Sequence, residues 1–184
     1  MRVFISMEIP EEIKNNIENV IEKMKLALTP VKWVLKKNLH ITLKFLGWID
    51  DNKIGELTAA TTSCVKDLGS IDVSFSGLGV FPDQKHPRVI WVGIKEGGEK
   101  VTSLANCIDT KLAKLGYKTE ERGFSPHLAI GRIKERIDVE VLNSLINERA
   151  DIDLGSFNAS YVSIMKSTLR RTGPIYEEME QVSL

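Results

Sequence analysis

This 184-residue chain holds only three histidines, and two of them open matching runs. Asn38-Leu39-His40-Ile41-Thr42-Leu43-Lys44-Phe45-Leu46-Gly47 alternates apolar residues at 39, 41, 43 and 45 with His40, Thr42 and Lys44. Alternation with period two predicts a half-buried β-strand, on which His40, Thr42 and Lys44 project from one face. Phe124-Ser125-Pro126-His127-Leu128-Ala129-Ile130-Gly131-Arg132 repeats the scheme, with Leu128 and Ile130 on the face opposite His127.

An imidazole has a reference pKa of ~6.5 and gives or takes a proton near neutrality. Two facing imidazoles therefore supply a base and an acid at once. That pairing suits in-line displacement at phosphorus, one ring activating the attacking oxygen while the other protonates the leaving oxygen. The Thr42 hydroxyl aims into the same space and can donate to a non-bridging phosphate oxygen. A preorganised donor of that kind is worth ~3 kcal/mol in the transition state. Arg132 offers the bidentate charge that phosphate oxygens favour. A lone strand histidine is more often a hydrogen-bonded structural residue; its repetition in equivalent places is what argues for chemistry. Metal binding lacks a third ligand of obvious spacing, and neither histidine has a Cys or carboxylate beside it, so no metal and no cofactor are expected. His86 sits in a Pro-flanked loop and reads as exposed. Trp33 and Trp91 read as core and Lys36-Lys37 as a solvated turn. Phe45 is most simply core, although an aromatic beside a nucleotide site can stack on a base.

The elements that must position these residues also come in pairs. Arg2-Val3-Phe4-Ile5-Ser6-Met7-Glu8-Ile9 resembles Arg88-Val89-Ile90-Trp91-Val92-Gly93-Ile94-Lys95. His40 follows Arg2 by 38 residues and His127 follows Arg88 by 39. Two strand–helix–strand units of nearly equal length point to internal duplication, and an approximate two-fold would bring both histidines to one cleft.

Helical spacing recurs over Ile13, Ile17, Val20, Ile21, Met24 and Leu28 after Pro10-Glu11-Glu12, a good helix start. It recurs over Ile54 to Leu68 behind a possible Asp50 or Asp51 cap, over Val101 to Leu115 ending at Gly116, and over Val141 to Ile146 behind Asp138. Strands are predicted at 2–9, 31–34, 71–81, 88–95 and 126–133, with a brief one at 117–119. One long strand is predicted from Ser156 to Leu169, and a last one over 175–182 after a Gly173-Pro174 turn. About four helices and eight or more strands give an α+β protein with mainly antiparallel sheets, read as a single two-lobed domain over 1–184.

Charged residues are 27% and hydrophobic ones 42% with zero net charge, so nothing suggests a broad polyanion-coating surface. Nucleic-acid contact is therefore expected to be local, with weak salt dependence. No apolar run near ~18 residues and no basic-then-apolar leader occur, so no membrane span and no signal peptide are expected; the protein is read as cytoplasmic and, separately, as a monomer, a state the sequence itself does not reveal. Cys64 and Cys107 lie in apolar helical patterns and read as two buried free thiols in a reducing compartment.

His40-Ile41-Thr42-Leu43 with Lys44-Phe45-Leu46-Gly47, Arg88-Val89-Ile90-Trp91-Val92-Gly93, and Ser125-Pro126-His127-Leu128-Ala129-Ile130-Gly131-Arg132 together resemble the two-histidine phosphoesterase superfamily. The resemblance extends to Gly173-Pro174-Ile175-Tyr176 and is strongest to the RNA 2′,3′-cyclic phosphodiesterases, also called LigT or 2′-5′ RNA ligases. It implies a bilobal fold of two antiparallel sheets flanked by helices, with the motifs at 40–43 and 127–130 lining a central cleft. It implies metal-independent opening of a 2′,3′-cyclic phosphate at an RNA 3′ end to a 2′-phosphate. By resemblance His40 is the proton donor to the leaving 3′ oxygen and His127 the proton acceptor that activates water; the sequence alone does not order the two roles.

One position departs from the pattern. The family motif has Thr or Ser two residues after the second histidine, where this chain has Ala129, so the role of Thr42 has no counterpart there. Three alternatives stay open: the reverse reaction, joining a cyclic end to a 5′-hydroxyl as a 2′-5′ linkage; an RNA-end or nucleotide binding module without turnover; and a phosphodiesterase for a small cyclic nucleotide or ADP-ribose cyclic phosphate.

Overall fold

A computed structural model describes residues 1–171 and 173–184. Among these, nine strands and four α-helices follow one another as β1 (Arg2–Glu8), α1 (Glu11–Lys25), β2 (Val31–Trp33), β3 (His40–Trp48), α2 (Ile54–Val65), β4 (Ile71–Phe81), β5 (Val89–Ile94), α3 (Gly98–Lys114), β6 (His127–Ile133), α4 (Val139–Asn147), β7 (Asp153–Ala159), β8 (Tyr161–Arg170) and β9 (Gly173–Ser183). Local chemistry accounts for the boundaries. Pro10 precedes α1 and its carbonyl accepts from the Lys14 N–H at 3.0 Å, so the missing proline N–H costs nothing there. The Asp138 carboxylate caps α4, accepting from the N–H groups of Glu140 and Val141 at 3.0 and 3.1 Å, as an N-cap acid should.

The strands form two antiparallel sheets, ordered β3-β1-β8-β9 and β2-β6-β5-β4-β7. Laid against each other, β3-β1-β8-β9 and β6-β5-β4-β7 match strand for strand, which is the expected α+β duplication. Each histidine strand lies beside the first strand of its own unit: β3 beside β1 and β6 beside β5. Behind the sheets, Ile13, Ile17 and Met24 of α1, Leu57 of α2 and Val101, Ile108 and Leu112 of α3 are buried with Val3, Ile5 and Met7 of β1.

The one strand outside the two-fold is β2, which adds to the edge of the second sheet beside β6. Gly131 makes that docking possible: a Cβ there would meet Val31 Cγ1 at 2.9 Å and the Trp33 ring at 3.1 Å. The duplication predicts an equivalent strand at 117–119, and none forms. The segment is followed by the charged, glycine-ended run Glu120-Glu121-Arg122-Gly123. The Lys118 carbonyl accepts from the Lys44 ammonium at 2.7 Å rather than joining a ladder.

Other expectations are corrected. The single strand over 156–169 is two, β7 and β8, broken at Ser160 where the chain passes from the second sheet to the first. Neither Asp50 nor Asp51 caps α2, which begins at Ile54 after a 3-10 turn. β9 begins at Gly173, inside the expected turn. Cys64 and Cys107 are not free thiols but a disulfide, with Cα atoms 5.8 Å apart. The two cysteines sit on α2 and α3, one from each repeat, and the side-by-side packing of those helices is invisible in 43 residues of separation. No described helix is long and apolar enough to cross a membrane.

Candidate active site

The strands that carry the two motifs share a distortion. Along β3, Thr42 pairs with Ser6 and Lys44 with Ile5, leaving Leu43 as an extra residue. Along β6, Ala129 pairs with Trp91 and Gly131 with Ile90, leaving Ile130 extra. Each is a β-bulge, which inserts one residue and turns over the alternation beyond it. The burial pattern repeats as well: positions 43–44 and 130–131 are consecutive buried pairs, each followed by an exposed residue.

Past the bulge, Lys44 turns into the protein while Phe45 comes to the His40 side. Lys44 is 3% exposed and pairs with Asp109, so the expectation that it projects with His40 and Thr42 is corrected. Phe45 is 41% exposed rather than core. The Phe4 ring lies between the two, 4.9 Å from His40 and 5.8 Å from Phe45. By the same slip Arg132 joins the His127 side. Phe45 and Arg132 each stand five residues after a motif histidine and are therefore structural equivalents, one aromatic and one cationic.

Both histidines are fixed in the same way. His40 Nδ1 lies 2.8 Å from the Asn38 carbonyl, and His127 Nδ1 lies 2.7 Å from the Ser125 carbonyl. A carbonyl only accepts, so Nδ1 carries the proton in each ring and Nε2 is the nitrogen left for proton transfer. His40 Nε2 is 3.0 Å from Thr42 Oγ1; with a bare Nε2, the threonine hydroxyl is the donor. His127 Nε2 has no hydrogen-bond partner among the described residues, because Ala129 stands where the second hydroxyl would be.

The rings are packed as well as tethered. Tyr176 meets His40 edge-on at 5.3 Å and Phe4 at 4.9 Å, and Phe81 meets His127 edge-on at 4.9 Å. Burial pushes the His40 pKa down to about 4, against a smaller upward effect of the Asn38 carbonyl. His127 is lowered too, mainly by burial and in part by the positive charge of Arg132. Arg132 also acts on Tyr176, whose phenol is raised by burial. Tyr176 touches His40, and Arg132 acts on both Tyr176 and His127, so the two motifs form one charged neighbourhood. Consistent with this, Cα atoms of β3 and β6 approach within 8 Å.

A cleft of about 730 Å³ is lined by Asn38, Phe45, Arg132 and Tyr176 among others; His40, Thr42 and His127 stand beside these residues in the fold but are not themselves among its lining. Trp33, expected in the core, is half-buried and also lines it, while Trp91 is half-buried against Phe81. His86 is exposed, as expected. Tyr176 was not singled out by sequence: its neighbour Ile175 is apolar yet exposed, so the residue types along β9 do not mark its inner face. Among the described residues, no three His, Cys, Asp or Glu side chains are grouped to hold a metal ion.

A family model described as "LigT like Phosphoesterase" matches this chain twice, over residues 7–91 and 92–176, one motif histidine in each match. An RNA 2′,3′-cyclic phosphodiesterase of Methanocaldococcus jannaschii is 38% identical over 98% of this chain and 99% of its own length. One of Methanothermobacter thermautotrophicus is 32% identical over 98% and 97%. In fold, the crystal structure of TT0787 of Thermus thermophilus superposes with a TM-score of 0.83 at 22% identity, covering 100% of this chain and 98% of that one. Paired motifs, matched bulges and a match over both halves lead to one conclusion: the chain belongs to the LigT-like phosphoesterase family.

Proposed function

We propose that the chain is an RNA 2′,3′-cyclic phosphodiesterase, opening the cyclic phosphate at an RNA 3′ end to a 2′-phosphate with His40 and His127 as its acid and base. The observation that carries this is the pair of imidazoles whose Nδ1 atoms are both committed to backbone carbonyls, leaving Nε2 of each as the reactive nitrogen. The names of the full-length relatives support the substrate class.

The asymmetry between the rings supports an order of roles. His127 Nε2, with no hydroxyl beside it, accepts the proton of a water that attacks phosphorus. The P–O3′ bond breaks as His40 Nε2–H gives its proton to the departing O3′, which leaves as a hydroxyl with the phosphate on O2′. His40 has a low proton affinity in its buried setting, which makes its cationic form a strong acid. The phosphate anion, once bound, offsets that burial by favouring the charged ring. Thr42 turns its hydroxyl from His40 to a non-bridging oxygen and Arg132 binds the other, while exposed Phe45 stacks on the terminal base. The site draws on both halves, so the chain acts as one two-lobed domain, here taken to be monomeric, cytoplasmic and without metal or cofactor. The reverse reaction, 2′-5′ joining, would use the same two protons.

Turnover of a short RNA with a 2′,3′-cyclic end, in EDTA, tests the reading with wild type, His40→Ala and His127→Ala. Release of a 2′-phosphate that both substitutions abolish is the expected result. Loss of activity on adding EDTA, or a 3′-phosphate product, would overturn it. Binding without opening would favour the alternative of a module that holds RNA ends, for which Ala129 is the specific support.

A further inference from the structure

Four cations, Arg2, Lys32, Arg132 and Lys134, line the 730 Å³ cleft, and among the described residues no carboxylate lines it. In a chain with 25 basic and 25 acidic residues, this is a marked local excess of positive charge. Lysines 14, 36, 44 and 53 lie within 4 Å of a carboxylate. None of the four cleft cations has such a partner among the described residues; Arg2 instead lies over the Phe45 ring at 4.9 Å.

Their placement is more telling than their number. Lys32 on β2 is directly opposite Arg132 on β6, and Lys134 follows Arg132 by two residues and lines the same cleft. Like charges facing each other across a ladder destabilise it, and β2 is only three residues long. An anion held between them relieves that repulsion. The two-fold gives no copy of this cluster on the other side: Phe45 occupies the position equivalent to Arg132, and residues 117–119 form no strand to match β2.

We propose that Lys32 and Lys134 form a subsite for the phosphodiester on the 5′ side of the terminal nucleotide, so that the cleft takes an RNA strand rather than a mononucleotide. This rests on the reading above only in giving Arg132 to the reacting phosphate. The strand then leaves the site along the His127 side, where Lys32, Arg132 and Lys134 are, and not along the Phe45 side.

Calorimetric binding tests this with two ligands, a nucleoside 2′-phosphate and a trinucleotide ending in a 2′-phosphate, over a series of KCl concentrations. Wild type should bind the trinucleotide more tightly. Lys32→Gln/Lys134→Gln should weaken it about tenfold and flatten its log–log salt slope by about 0.7, the share of one phosphate on a single strand. Both side chains are exposed, so the fold should tolerate the change, and nucleoside 2′-phosphate affinity should stay within about twofold of wild type. Unchanged trinucleotide affinity and slope would overturn the subsite. So would equal weakening of both ligands, or a wild type that binds the two alike. Opening of a trinucleotide ending in a 2′,3′-cyclic phosphate, measured alongside, reports on the reaction separately: its absence with binding of the 2′-phosphate trinucleotide intact would remove the activity and keep the subsite.

Discussion

His40 and His127 are held alike, each by Nδ1 on a backbone carbonyl, and their proposed pairing has a consequence for pH. Both rings are depressed below the usual histidine range by burial, His40 to about 4. In the proposed mechanism the reactive form of the free protein has one ring charged and the other neutral, and both equilibria lie below the ordinary histidine value of about 6.5. The kcat/KM profile should therefore peak on the acid side of about pH 6.5. Bound phosphate favours the charged ring, so the kcat profile should peak at higher pH. A kcat/KM optimum at or above neutrality would contradict the burial-driven shifts. Ala129 gives a second prediction. Ala129→Thr restores a hydroxyl to a half-site that has none, worth about 1–3 kcal/mol of transition-state stabilisation if it meets the phosphate. The expected outcome is a rise in kcat of about tenfold, read with a cyclic-ended oligonucleotide. A fall would mean the new hydroxyl engages His127 Nε2 and competes with water for it.

At the scale of the strand, the bulges at Leu43 and Ile130 decide which residues belong to the site. They also explain what could be read beforehand. His40, Thr42 and His127 lie before the bulges, where period-two alternation holds, and they were legible as one-sided. Phe45 and Lys44 lie after the bulge and exchange faces, so strict alternation put Phe45 in the core and Lys44 beside the histidine. A bulge is set by pairing with a neighbouring strand, which a single strand's pattern does not carry. Arg132 was legible through its charge, not its face. Tyr176 comes from β9, distant in sequence, and only the register of the first sheet brings it to His40. Because Lys44 turns inward, it depends on Asp109. Asp109→Ala should destabilise by about 3 kcal/mol in denaturant unfolding, the low end for orphaning a buried charge, since Glu120 at 3.5 Å remains. Lys44→Met, which removes the charge itself, should cost less.

At the scale of the molecule, the Cys64–Cys107 bond ties α2 of the first repeat to α3 of the second. It closes a 43-residue separation, for which the chain-entropy model gives about 4 kcal/mol. Reduction, or Cys64→Ala/Cys107→Ala, should lower unfolding stability by up to about that amount without loss of turnover, because neither cysteine touches the cleft. A loss of activity at full folding would show that the bond positions the site. The duplication itself was legible from motif spacing, but the partnering of its strands was not. Nothing in the spacing shows that β2 leaves its own repeat to flank β6, or that β8 and β9 complete the sheet begun by β1 and β3.

That interleaving has a consequence for how the polypeptide can be divided. A cut in the loop between Phe81 and Arg88 separates the two repeats in sequence, yet each sheet then holds strands from both pieces. Neither fragment owns a complete sheet, and neither should fold alone. Expressed together, they should reconstitute each other and recover activity that neither has, so the two repeats behave as a built-in split pair.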